Sequence, residues 1–308
     1  MTRTYRFVQV DVFTDRPFGG NPLAVFPEAG RLSEQEMQRL ALEMNLSETT
    51  FVLPPRSSGA DFRVRIFTPR SELPFAGHPV IGTSWVLADL QKIALTPPVT
   101  TVHLELGVGV LPADLHVADG RATYVTMTQG EPSFHTVIEN VTDLAAGLGV
   151  SPSAITDAGY PSQVVSTGMP QLMVPIASLA DIEALSPAAM DTRRLAEVCE
   201  SVDTRFILAF CTETVDPKAS VHVRGLGHPL GIPEDPATGS ANGALGAYLV
   251  HHRVVPFKEG TVTIRSEQGL EMGRPSRLDI EVDHTEGEPQ TVRVSGSVTP
   301  IIEGTVRF

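Results

Sequence analysis

The chain has 308 residues, which favours two domains or one large domain. A hydrophobic fraction of 42% and a charged fraction of 19% are typical of a folded protein and exclude disorder. A formal net charge of −13 makes nucleic acid and anionic membrane surfaces poor partners. Two cysteines are too few for a disulfide-stapled scaffold, and no segment has the apolar length of a signal peptide or membrane span. We therefore expect a cytosolic protein.

Short runs of β-branched and aromatic residues, separated by Gly and Pro turns, predict many strands. In the first third of the chain these runs are residues 5–13, 23–26, 51–53, 62–67 and 102–106. The clearest helix is predicted over residues 33–44, where Ser33 can cap the start and Glu36 can complete a capping box. Residues 291–308 again have a strand pattern. The mixture predicts an α+β fold.

The second half of the chain repeats the first half in the same order. The matching segments are 39–41 with 194–196, 48–53 with 203–208, 60–65 with 219–224, and 72–78 with 234–240. A long repeat that occurs twice favours two like domains related by a pseudo-twofold axis. We expect one domain at residues 1–122, with the strand at 297–308 as a candidate to join it. The other domain is expected at residues 123–296, and the active site in the cleft between them, where pockets commonly form.

In each half a Pro/Gly loop runs into a helix of small residues, beginning at Gly77-His78 and at Gly239-Ser240. The first N–H groups of a helix have no partner inside the helix and carry partial positive charge, so they bind anions. Two such helix starts meeting at one site would bind a carboxylate. The alternative is that both helices serve only as buried core elements, packed closely through their small residues.

Three carboxylates accompany these loops. Glu48 lies between a helix and a strand, Asp203 is its counterpart in the repeat, and Asp235 precedes the second helix start. A carboxylate in a dry pocket has its charged form disfavoured, which raises its pKa toward the range of a general base. Glu48 is therefore the candidate to move a proton. The plainer alternatives are a surface acid at a helix end for Glu48, an Asx turn for Asp235 and a structural histidine for His78.

Other chemistries find little support. Residues 225–231 contain glycines after a strand, but their spacing does not fit a dinucleotide loop. The chain lacks the phosphate-binding lysine signature and the serine-hydrolase elbow. Adjacent His251 and His252 would diverge on a helix, so no metal is expected. Cys199 and Cys211 lie outside the helix-start loops and are interpreted as core residues. We expect neither a cofactor nor a thiol-based racemase.

Several motifs, in order and over nearly the whole chain, resemble the PhzF-like family of phenazine biosynthesis; they are residues 10–22, 44–49, 65–69, 72–79, 234–241 and 268–276. The resemblance implies the diaminopimelate-epimerase-like fold, in which each half is an antiparallel barrel-like sheet around a central helix. It also implies a homodimer. One departure is the segment 224–229, where the family has an Arg-x-Phe-x-Pro strand end, and we expect the loop at 225–231 to shape specificity.

The resemblance implies a cofactor-independent isomerase, which in the phenazine enzyme acts on trans-2,3-dihydro-3-hydroxyanthranilate. Carried over to this chain, Glu48 moves a proton between carbons of a small carboxylate-bearing substrate. The groups that hold the substrate are then Gly77, His78, Asp235, Gly239 and Ser240. A rival hypothesis is a catalytically silent homodimeric scaffold that only binds a small molecule.

Overall fold

The computed structural model describes residues 2–227, 232–256 and 258–308. It divides the chain into two compact units. The first unit comprises Met1–Met127 together with Ser295–Phe308, and the second comprises Thr128–Val294. Within the described residues, no helix has the length and apolar character needed to cross a membrane.

The first unit is a sheet wrapped around one central helix, with a second helix outside. Its strands are β1 (Thr4–Val12), β2 (Asn21–Phe26), β3 (Glu48–Leu53), β4 (Phe62–Phe67), β5 (Glu72–Leu73), β6 (Val99–Leu106), β7 (Gly109–Ala118) and β8 (Arg121–Thr128). Its helices are the outer α1 (Glu34–Met44) and the central α2 (Gly77–Asp89). Helix α1 has the predicted capping box, in which the side chain of Ser33 and the carboxylate of Glu36 exchange hydrogen bonds with each other's backbone N–H.

The second unit repeats this plan with extra short helices. Its strands are β9 (Ser133–Ile138), β10 (Ser162–Ser166), β11 (Pro170–Pro175), β12 (Ile207–Cys211), β13 (Val221–Gly227), β14 (Ile232–Asp235), β15 (Gly260–Gln268), β16 (Ser276–Thr285) and β17 (Glu288–Gly296). Its helices are α3 (Thr142–Leu148), α4 (Pro152–Thr156), α5 (Leu179–Glu183), α6 (Thr192–Ser201) and α7 (Gly239–His251). The last strand of the chain, β18 (Val298–Arg307), pairs with β1 of the first unit.

Strand pairing follows the same order in both units. In the first unit β2 runs parallel to β3, β3 antiparallel to β4, and β4 parallel to β6. In the second unit β11, β12, β13 and β15 make the same three pairings with the same directions. The α+β class and the two like units, each with a sheet around a helix, are therefore confirmed. The sheets are mixed and not purely antiparallel as expected, because a helix lies between the two strands of each parallel pair, and such a crossover returns the chain in the same direction.

Helices α2 and α7 form the centres of the two units. Nearly all of their residues are buried, which is typical of a helix enclosed by sheet on every side. A Cβ atom on Gly82 would lie 2.6 Å from Cδ2 of Leu23, and one on Gly246 would lie 2.5 Å from Cγ2 of Ile280. Glycine at these positions lets each helix approach its strands closely.

Candidate active site

Glu48 is the first residue of β3, paired in register with Leu23 of β2. Thr50 lies on the same face of the strand, since side chains alternate with a period of two. Its hydroxyl is 2.8 Å from that of Thr83 on α2, so this face points toward the central helix. The side chain of Glu48 thus enters the interior of the first unit, and the residue is only 9% exposed.

The carboxylate of Glu48 meets His78 at the start of α2. Its Oε2 atom lies 3.3 Å from Nε2 of His78, whose side chain is also buried. Gly77 and His78 are the first two residues of the helix, and Ala76 at the N-cap position supplies no side-chain hydrogen bond. The structure therefore brings Glu48, Gly77 and His78 together at the N-terminus of a buried helix.

Burial lowers the pKa of His78 to about 3, because the charged imidazolium is disfavoured away from water. At neutral pH the imidazole is therefore neutral, although its distance to Glu48 is that of an ion pair. A neutral imidazole has one N–H donor and one acceptor nitrogen. It therefore lies beside the carboxyl group of Glu48 without adding a charge to the site.

The remaining predicted site residues lie together in the second unit. Asp235 ends β14, and Gly239 and Ser240 are the first residues of α7. The hydroxyl of Thr238, at the N-cap position of α7, donates a hydrogen bond to Oδ2 of Asp235. Within the described part of the chain, that side chain therefore makes no capping bond to the helix. Among the residues that the structure describes, α2 and α7 thus both begin without a side-chain cap, whereas α1 and α6 have one.

A buried amide network behind Asp235 was not predicted from the sequence. Gln268, the last residue of β15, is fully buried and hydrogen-bonds to Asp235, Thr238 and Asn242. Gln268 is the first residue of the motif over residues 268–276, which was singled out only for its resemblance to the family. A lone glutamine at a strand end does not show its partners, because they are brought to it only by the tertiary fold.

A buried network of charged side chains packs against the segment that carries Asp235. Arg224 on β13, 2% exposed, donates to both carboxylate oxygens of Glu234, the residue before Asp235. Beside it, His222 hydrogen-bonds through its two ring nitrogens to Glu267 and Glu271, each at 2.8 Å. Burial alone opposes the charged imidazolium, but the hydrogen bonds to these two carboxylates raise the pKa of His222 to about 9. His222 is therefore protonated at neutral pH.

Two sequence predictions need correction. Asp203 is not the structural counterpart of Glu48, because it is exposed in the turn after α6 while β12 begins only at Ile207. The helix-to-strand connection is longer in the second unit, which shifts the register of the repeat. Residues 225–227 belong to β13 and not to a loop, whereas residues 228–231 of the predicted specificity loop lie outside the described residues.

The two cysteines are buried, as interpreted from the sequence. Burial raises the pKa of the Cys199 thiol to about 11 and that of Cys211 to about 12. The nucleophilic thiolate is therefore scarce at neutral pH in both. Neither side chain has the character of a racemase base.

Comparison with known proteins agrees with this architecture. A family model described as phenazine biosynthesis-like protein, PhzC-PhzF, matches residues 10–304. The trans-2,3-dihydro-3-hydroxyanthranilate isomerase of Pseudomonas aeruginosa is 36% identical over 303 residues, covering 97% of this chain and 98% of its own. The crystal structure of a Bacillus anthracis phenazine biosynthesis protein of the PhzF family superimposes with a TM-score of 0.88 at 28% identity, covering 99% of both chains.

The same fold also occurs in a structure with much lower sequence identity. A hydroxyproline epimerase from Agrobacterium vitis shares it with a TM-score of 0.65 at 16% identity, over 99% of this chain and 91% of that one. The fold is therefore of the diaminopimelate-epimerase-like kind. The protein is an isomerase, as its relatives at 33–36% identity are named. The chain belongs to the PhzF family.

Proposed function

We propose that this isomerase moves a proton between two carbons of a small carboxylate-bearing substrate, without a cofactor, and that Glu48 carries the proton. The observation that supports it is the carboxyl group of Glu48, buried and 3.3 Å from the neutral imidazole of His78 at the uncapped start of α2. A general base needs a side chain placed within reach of the reacting carbon, and β3 places the carboxyl group of Glu48 in a buried position beside His78.

The proposed step is balanced without any further reactant. The carboxylate of Glu48 removes a proton from one carbon, and the electron pair of the broken C–H bond delocalises into the conjugated substrate. The carboxylic acid so formed returns the proton to another carbon. The neutral imidazole of His78 lies 3.3 Å from the carboxyl group and adds no charge to it in either state.

Substrate binding is assigned to the helix starts and to Asp235. N–H groups in the first turn of a helix bind anions, and those of α2 and α7 begin at Gly77 and Gly239 with no side-chain cap among the described residues. We assign the substrate carboxylate to these groups, and its amine and hydroxyl to Asp235, His78 and Ser240. The location of the site between the two halves of the chain stays a prediction.

The proposed substrate class is supported by the relative at 36% identity, whose name gives trans-2,3-dihydro-3-hydroxyanthranilate as its substrate. This compound combines a carboxylate, an amine, a hydroxyl and a conjugated ring. We propose a cyclic amino- or hydroxy-carboxylate of the same kind for this chain. The homodimer implied by the family resemblance also stays a prediction, to be checked by light scattering on the purified protein.

Glu48→Gln tests the proposal, because the amide keeps the shape of the side chain but cannot accept and return a proton. Turnover of trans-2,3-dihydro-3-hydroxyanthranilate is expected to fall at least about 100-fold, as for loss of a general base. Binding of the inert analogue 3-hydroxyanthranilate should change little.

Asp203→Asn is the matched control, since it makes the same chemical change at the exposed acid that the sequence repeat aligned with Glu48. This variant should retain the turnover of the unmodified protein. If Glu48→Gln turned over as fast as Asp203→Asn, Glu48 would not be the proton carrier.

A further inference from the structure

Gln268 uses the full hydrogen-bonding capacity of its side-chain amide inside the second unit. Its Nε2 atom donates to the carbonyl oxygen of Asp235 at 2.7 Å and to the hydroxyl of Thr238 at 3.1 Å. Its Oε1 atom accepts from the side chain of Asn242 at 2.8 Å and from the backbone N–H of Thr238 at 3.2 Å. An amide has two donor hydrogens and two acceptor lone pairs, so all four are used.

These partners fix the orientation of the amide. A backbone N–H can only donate, so the atom facing the N–H of Thr238 must be the oxygen of Gln268. The side chain of Asn242 also donates to the carbonyl oxygen of Thr238 at 3.0 Å, which places its nitrogen on the side of Gln268. The nitrogen of Gln268 therefore faces the hydroxyl oxygen of Thr238.

The orientation of the Gln268 amide also determines where the hydroxyl hydrogen of Thr238 points. The oxygen of Thr238 already accepts from Gln268, and its single hydrogen points to Oδ2 of Asp235. The chain of hydrogen bonds therefore runs in one direction, from amide to hydroxyl to carboxylate. A donor aimed at a carboxylate favours its ionised form and fixes its orientation.

The local packing is built around this arrangement. Thr238 occupies the N-cap position of α7, where a threonine hydroxyl ordinarily accepts from the helix, yet here it donates to Asp235. Gly225 of β13 lies against the amide, and a Cβ atom there would be 2.7 Å from Nε2 of Gln268. The glycine leaves the space that the amide occupies.

We infer that Gln268 is a positioning residue for Asp235: through the hydroxyl of Thr238 it holds this carboxylate in the orientation that binds an amino group of the substrate. This inference rests on the assignment of Asp235 to substrate binding under the proposed function. It adds a specificity determinant, because a ligand with the amino group should depend on Gln268 and Thr238, whereas the same ligand without it should not.

The test compares 3-hydroxyanthranilate with 3-hydroxybenzoate, which lacks only the amine, by calorimetric titration of the purified protein. Thr238→Val and Gln268→Met should weaken binding of 3-hydroxyanthranilate roughly ten-fold, the size expected for a hydrogen bond to a charged group. The affinity of the same two variants for 3-hydroxybenzoate should change less than about two-fold. Thr238→Ser, which restores the hydroxyl, should restore the preference for the amine.

Equal weakening of both ligands, or no weakening of either, would overturn the inference, because each leaves Gln268 with a structural role alone. The two-ligand comparison does not involve Glu48, so failure of this inference is distinguishable from failure of the proposed proton transfer.

Discussion

Arg224→Met removes a buried cation while keeping much of the apolar volume of the side chain. Besides the two bonds to Glu234, the guanidinium donates to the carbonyl oxygens of Ile182 in α5 and of Leu185 just after that helix, each at 3.0 Å. The side chain of Glu234 is only 8% exposed, so the substitution leaves a carboxylate buried without its guanidinium. Breaking such a pair costs about 3–5 kcal/mol, a large share of the roughly 5–15 kcal/mol that stabilises a protein.

The equivalent pair of the first unit is the matched control. Arg65 on β4 bonds to Glu72 on β5, as Arg224 on β13 bonds to Glu234 on β14. The side chain of Glu72 is 38% exposed, so water can solvate it when the arginine is lost. Arg65→Met should therefore cost no more than about 1 kcal/mol, the usual upper value for an exposed ion pair.

The assay is urea denaturation followed by far-UV circular dichroism for the two single variants and for the double variant Arg224→Met/Glu234→Met. Loss of both charges together should recover at least half of the stability lost by Arg224→Met, because no unpaired carboxylate remains. Equal losses of stability in Arg224→Met and Arg65→Met would contradict this prediction, since burial would then not decide the energy of the pair.

Three further predictions follow from the pKa shifts. Because its pKa is raised from 6.5 to about 9, protonated His222 contributes stability, on the order of 3 kcal/mol, that is complete below pH 6.5 and is lost as the pH rises through 9. Urea midpoints measured from pH 6 to 10 should therefore fall less steeply in His222→Gln than in the unmodified protein. Equal slopes would contradict this prediction. Because the pKa of His78 is about 3 in the folded protein, the unfolded chain binds one more proton between pH 3 and 6.5, so the stability of the fold decreases as the pH falls through this range. ¹⁵N spectra should therefore show a neutral His78 ring at pH 5. Titration of this ring near pH 6.5 would refute the prediction. Cys199 and Cys211 should resist a thiol-specific disulfide reagent in the native state, and rapid labelling without denaturant would show that the thiols are accessible.

The parts predictable from the sequence are those encoded locally or by repetition. The capping box of α1 needs only Ser33 and Glu36, three residues apart, and the repeated segments predicted two like units. The carboxylate of Glu48 and the ring of His78 were both singled out. Their 3.3 Å contact needed the fold, because β3 and α2 bring together residues thirty positions apart.

The features that were predicted wrongly or missed depend on strand register and on partners brought together by the tertiary fold. The repeat aligned Asp203 with Glu48, but the longer connection after α6 leaves that acid exposed in a turn, and a single sequence does not show where such an insertion lies. Gln268 and Arg224 are polar residues that a pattern assigns to the surface. They are buried because several elements supply partners at once, and those partners are distant in sequence.

The most direct test of the central claim is the entry of solvent deuterium into the carbon framework of a substrate. The purified protein is incubated in D₂O with trans-2,3-dihydro-3-hydroxyanthranilate and with a panel of cyclic amino and hydroxy acids, and carbon-bound deuterium is measured by NMR. Label is expected in at least one compound, present with Asp203→Asn and lost with Glu48→Gln. Label that persists undiminished in Glu48→Gln would contradict the assignment of Glu48, because a different group would then be moving the proton.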